Sequence, residues 1–322
     1  MITLAIKQMK RPLLKKIIFS LIFLVIALFI IVVCGIKIAD RFTFHIIYRA
    51  PFTITEPGYY RVINNLNSNS HGIIIASDDV VLDLAGFQIN SIGPNPSATG
   101  DAGIMINKQQ NITIRNGTIK GFNYGIYAGN IRDYGGNLFE NLKLIRNLQM
   151  GICVASRNSV IRNNLISQTY GSGKEYTYGI YVEGPGTIIK NNEVFGTYPS
   201  SGQSEGVGIS LTNTGRGSLV EENVVANSKD LESGRSFGIW VGAIDNDNTA
   251  VGVINNRITN MVVGIASSAA VNGVYRDNIV LDSQMNYFAN TINMKDGGNN
   301  FGDGYSGNQI KGLSGESFPD YK

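Results

Sequence analysis

Histidine, cysteine and tryptophan are scarce: two, two and one in 322 residues, with 16% of the chain charged. Each shortage excludes something. Cys34 lies inside a long apolar run, so Cys153 is the only cysteine in the remainder. No internal disulfide can staple that remainder; packing and hydrogen bonds must hold it. His45 and His71 both fall early in the chain, which argues against metal binding by histidine. Basic charge is short as well. Residues 1–41 carry seven basic groups and one acid, leaving 20 basic against 23 acidic in 42–322, near −3. Without a basic surplus to neutralise phosphates, nucleic acid is not an expected partner.

Of what is present, the first feature is a run of twenty residues without a charge, Ile17–Ile36 (IIFSLIFLVIALFIIVVCGI). As a helix it would span about 30 Å, the hydrocarbon thickness of a bilayer. Lys7, Lys10, Arg11, Lys15 and Lys16 precede it with no acid among them. That bias places the N-terminus in the cytoplasm and everything after residue 37 on the far side, in the periplasm or outside the cell. The expectation is a single-pass anchor in the cytoplasmic membrane. A cleaved signal peptide followed by secretion is the alternative, although the run exceeds a usual signal core.

The second feature is a repeat. A Gly-Ile step recurs as GIMIN at Gly103, GIYAG at Gly125, GICVA at Gly151, GIYVE at Gly179, GISLT at Gly208, GIWVG at Gly238 and GIASS at Gly264. HGIIIAS at Gly72 is an earlier copy, and the later spacings run from 22 to 30 residues. Each copy precedes a second element with an asparagine: Asn116, Asn141, Asn164, Asn192, Asn223, Asn256 and Asn278. Asn116-Gly117 alone reads as a tight hairpin, but only the asparagine repeats. A single residue that tolerates the left-handed conformation makes a corner instead, and Gly117 reads as incidental.

Short strands, one-residue corners and this period imply coils of about three strands, stacked in parallel about 4.8 Å apart. Stacked corners let asparagine amides bond up and down a ladder. Period two then points Ile104/Ile106, Ile126/Ala128, Ile152/Val154, Ile180/Val182, Ile209/Leu211 and Ile239/Val241 inward.

This GIxI…xxIxNNxI pattern resembles right-handed parallel β-helix proteins of the pectin-lyase-like superfamily, and residues 54–89 resemble the opening of such domains in exported bacterial chains. The resemblance covers roughly 54–283. It implies an all-β, right-handed, single-stranded parallel β-helix after one N-terminal transmembrane helix. The expected organisation is a tail and anchor at 1–41, an N-terminal cap at 42–71, the β-helix at 72–283, and a C-terminal cap or tail at 284–322. The same architecture serves lyases, hydrolases, epimerases and non-catalytic binders, so function must come from the site.

In that superfamily the working surface is usually the outer face of the strand with the Gly-Ile step. Here the outward residues are Met105, Tyr127, Cys153, Tyr181, Ser210, Trp240 and Ala266. In register, Tyr127, Tyr181 and Trp240 would form a sugar platform with rings about 10 Å apart. Glu183 lies on the face, with Arg216, Asp245 and Asp247 in loops after the strands. Glu183 with Asp245 or Asp247 could flank a glycosidic bond, and Arg216 could neutralise a uronate. The Asp245/Asp247 spacing lacks the glycine and distant glutamate of a calcium loop. No metal or cofactor is expected. The reading is a membrane-anchored protein that binds a polysaccharide, with its modification, as lyase, hydrolase or epimerase, left open. The alternative is a non-catalytic surface or periplasmic scaffold or adhesin, binding glycan or protein.

Overall fold

The computed structural model describes residues 19–26, 29, 44–93, 100–129, 134–171, 176–198, 205–212, 216–228, 235–242, 250–268, 272–289 and 294–303. The chain forms two compact units, Met1–Phe44 and His45–Lys322. In the first, the described residues 19–26 and 29 are helical. Most of the apolar run 17–36 therefore lies outside the described residues, among which no helix is long and apolar enough to cross a membrane.

In the second unit, every coil sends one strand to a ten-stranded parallel sheet and its other strands to a nineteen-stranded one. Pairing starts before the first Gly-Ile step, with His45–Ile47 on Gly58–Val62 and Phe52–Ile54 on Ile73–Ile75. It continues past residue 283, with Met285–Ala289 on Val263–Ser267 and Phe301–Gly302 on Ile279–Leu281. Among the described residues, strands of the same two sheets thus extend into both stretches read as caps.

Packing explains the Gly-Ile step. Ile104, Ile126, Ile152, Ile180, Ile209, Ile239 and Ile265 stack in one register and stay buried. The glycine before each isoleucine also faces inward, where the coils come closest. A Cβ on Gly179 would lie 2.5 Å from the carbonyl oxygen of Gly208 and 2.5 Å from Val194. The same collision meets every glycine of the column from Gly72 to Gly264, so the repeat is enforced by contact distance rather than by turn geometry.

The asparagine corner takes a different form from the one expected. The left-handed residues are Asn116, Asn141, Asn163, Asn191, Glu222, Asn255 and Asp277, with φ between 53° and 60°. From the third coil onward, the repeated asparagine is therefore the residue after the corner, and its amide turns into the core. Asn164, Asn192, Asn223, Asn256, Asn278 and Asn300 form a ladder in which each Nδ2 donates to the next Oδ1 at 3.0 Å. Each Nδ2 also donates to a backbone carbonyl of the preceding coil, so buried amides are satisfied inside the cylinder. Gly117 and Leu142 hold the ladder position in the first two coils. Gly117 is not incidental: a Cβ there would lie 2.2 Å from Leu84.

The outer face of the nineteen-stranded sheet is charged. Asp83, Arg115, Glu140, Arg162, Lys190 and Glu221 stand in register on six successive coils, three acids and three bases. Arg115–Asp83, Arg162–Glu140 and Lys190–Glu221 pair at 3.4, 2.7 and 2.8 Å.

Candidate functional site

The outer face of the ten-stranded sheet is different. Met105, Tyr127, Cys153, Tyr181, Ser210, Trp240 and Ala266 stack in one row, in the register read from the sequence. A second row runs beside it: Ala102, Tyr124, Met150, Tyr178, Val207, Phe237 and Val263. Strict alternation from Ile126 would point Tyr124 inward. Because glycine and isoleucine both face the core, the residue before each glycine is turned outward, and the large side chain preceding Gly-Ile was the signal that would have revealed this row.

The two rows build a cleft of about 500 Å³ on the coils of residues 124–129, 149–155 and 176–183. Its walls come from the tyrosine coils and its floor from the coil between them. Tyr124 and Tyr127 form one wall, their rings 5.0 Å apart and inclined by 53°. Tyr178 and Tyr181 form the other, 4.8 Å apart and inclined by 54°. Met150, Cys153 and Ala155 lie between. Small residues at two of those floor positions leave the gap.

For Tyr127 and Tyr181, the residue two positions later sets the pose of the ring. The Tyr127 ring lies over Gly129, where any Cβ would collide with it. The Tyr181 hydroxyl donates to Glu183 Oε1 at 2.5 Å, a short charge-assisted bond. Burial, then this bond, pushes the Tyr181 phenol far above its usual range. Burial, then the nearby Cys153 and Glu183, raises Tyr127 too. Burial and the charge of Glu183 also hold Cys153 well above an ordinary thiol. At neutral pH Tyr127 and Tyr181 therefore stand as neutral phenols, and burial favours the protonated thiol of Cys153.

The structure brings together Tyr127, Tyr181 and Glu183, and adds Tyr124, Tyr176, Tyr178 and Gln149, which sequence reasoning missed. Trp240 does not join them. It is only 7% exposed, edge-on to Phe237 at 5.5 Å in an apolar cluster with Tyr178, Val207, Val263 and Ala266. The expected axial platform through Tyr127, Tyr181 and Trp240 is thus interrupted, with buried Ser210 between the last two. Arg216 lies on an exposed turn outside the cleft lining. Asp245 and Asp247 lie outside the described residues. Among the described residues, no three His, Cys, Asp or Glu side chains gather as a metal site.

Stacked three-strand coils with an open cleft on their outer face define a right-handed β-helix protein. The chain belongs to the family described as right handed beta helix region, matched over residues 59–225. No curated protein matches the sequence. Among solved structures, the Agl-KA catalytic domain is similar at 17% identity and a TM-score of 0.50, over 78% of this chain and 47% of that one. The Dettilon tailspike protein is similar at 14% identity and a TM-score of 0.50, over 80% and 61%. Pectate lyase Pel9A matches at 14% identity and a TM-score of 0.41, over 76% and 69%. The chain therefore spans about half of the first structure and three-fifths of the second. At these identities the likeness concerns the fold alone.

Proposed function

We propose that this is a membrane-anchored, extracytoplasmic β-helix protein whose tyrosine cleft binds a polysaccharide. The observation that carries the reading is the cleft itself: about 500 Å³, walled by tyrosines, with the Glu183 carboxylate at one side. A ligand site of this kind buries apolar ring surface and fixes orientation with a few polar groups. The anchor rests on the charge-free run 17–36 with its basic flank.

Binding is favoured over hydrolysis. Hydrolysis needs two carboxyl groups across the scissile bond, and Glu183 is the one carboxylate among the described lining residues. The test is to titrate the full chain, in detergent, with oligosaccharides from neutral, uronate and amine-bearing polymers. New reducing ends and the ultraviolet absorbance of unsaturated ends are followed in parallel. Binding that weakens in Tyr127→Ala and Tyr181→Ala, without product, is the expected result. Product that disappears in Glu183→Gln would turn the reading to catalysis, and no binding to any polymer would end it. Fractionation of cells, with protease added from outside, checks the anchor and its orientation.

A further inference from the structure

We propose that the cleft recognises an alkylammonium group carried on the glycan, such as the protonated amine of an amino sugar. The inference rests on the glycan reading above and names the chemistry of the unit bound.

Ring orientation is the first observation. A sugar stacked by its apolar face wants one flat aromatic surface, and an axial row of exposed rings would have supplied that. Here the rings are inclined in pairs, Tyr124 against Tyr127 by 53° and Tyr178 against Tyr181 by 54°, on opposite sides of a one-coil gap. Rings inclined rather than coplanar, standing on both sides of a gap, line a concave recess instead of a flat platform. The negative ring faces of such a recess attract a compact cation, and aromatic cages are the usual receptors for substituted ammonium groups. The gap suits this size: the wall strands are two strand spacings apart, about 10 Å.

The second observation is the carboxylate. Glu183 accepts a hydrogen bond from the hydroxyl of a wall tyrosine, Tyr181, at 2.5 Å. The bond fixes the carboxyl group beside the ring, within the cleft lining, as a counter-charge for an ammonium group. Met150 on the floor adds a polarisable thioether, a soft surface for a charged methylene or methyl group. At longer range, the acidic surplus of residues 42–322 draws cationic polymers in.

Two sources share this chemistry, an amino sugar within the polymer and a choline substituent upon it. The experiment uses the full chain in detergent and measures affinity by calorimetry for four probes. They are a glucosamine oligomer, its N-acetylated counterpart, a uronate oligomer and phosphocholine. The first is expected to bind about tenfold or more tightly than the second below the amine pKa, with that preference lost in Glu183→Gln and reduced by salt. Tight binding of phosphocholine with none of the oligomer would keep the ammonium site, assign its source to choline, and end the reading of an amino sugar. Equal or tighter binding of the acetylated or uronate oligomer overturns the proposal while leaving glycan binding intact. Failure of every probe removes both. The comparison among probes on the unaltered protein needs no variant, so a folding defect in Glu183→Gln cannot mask the answer.

Discussion

The two outer faces of the cylinder are built on one register and do opposite things with it. On the nineteen-stranded sheet, three acids and three bases stand in one row and pair off between neighbouring coils, so the row neutralises itself. On the ten-stranded sheet, large tyrosines alternate with a small cysteine, so neighbours leave a gap. The lesson is that in a stacked coil the side-chain size of one position, read up the column, decides between a sealed wall and a cleft.

The largest effect should come from closing the gap. Cys153→Phe places a ring between the tyrosine walls, and binding should fall below detection while Glu140→Gln on the other face leaves it unchanged; titration of both variants decides. Next is a change beneath both faces. Asn223→Ala removes an amide that bonds Asn256 Oδ1 and the Ile189 carbonyl and accepts from Asn192, leaving buried groups unmatched. A loss of about 3 kcal/mol is expected in denaturant unfolding, with binding affected only as the folded fraction falls.

Titration should separate the faces further. Burial disfavours ionised Asp83, but hydrogen bonds from the Tyr59 hydroxyl, the Ala85 N–H and the Asn116 amide, with the charge of Arg115, outweigh it and hold the carboxyl below its ordinary value. A depressed folded pKa gives stability that is present above the unfolded value of about 4 and lost as pH falls through the folded one. Asp83→Asn should flatten that acid limb. The Tyr127 and Tyr181 phenols are raised instead, so their contribution is present below about pH 10 and lost as pH climbs above it. Tyr181→Phe should flatten the alkaline limb, and unfolding midpoints across pH read both. The smallest effect is expected at Arg162–Glu140, where Glu140→Gln should cost about 1 kcal/mol or less, because the arginine side chain is 47% exposed and water screens the pair.

Much of the fold was legible because it repeats. The glycine column, the isoleucine column and the Tyr127–Cys153–Tyr181 row follow from aligning coils by Gly-Ile. What alignment could not supply was orientation wherever alternation fails. Consecutive inward residues hid Tyr124 and Tyr178, and a corner one residue earlier than its asparagine hid the inward turn of Asn164 and its successors. Trp240 shows a second limit. Its row position was right, but exposure depends on the packing around it, and Phe237 and Ala266 enclose it. Arg216 was placed in a loop near the face by sequence proximity, which says little about which way a turn carries a side chain.

The cleft is one coil wide because a single coil carries a small residue between two tyrosine coils. Coils add only in whole strand spacings of about 4.8 Å, so its width cannot drift by point substitution of the walls. It changes in steps. Duplicating the coil that contains Cys153 would move the walls apart by one full spacing while leaving every glycine and asparagine column intact. Ligand size in such a protein is therefore set by counting coils, and a lineage can change it by gaining or losing one repeat.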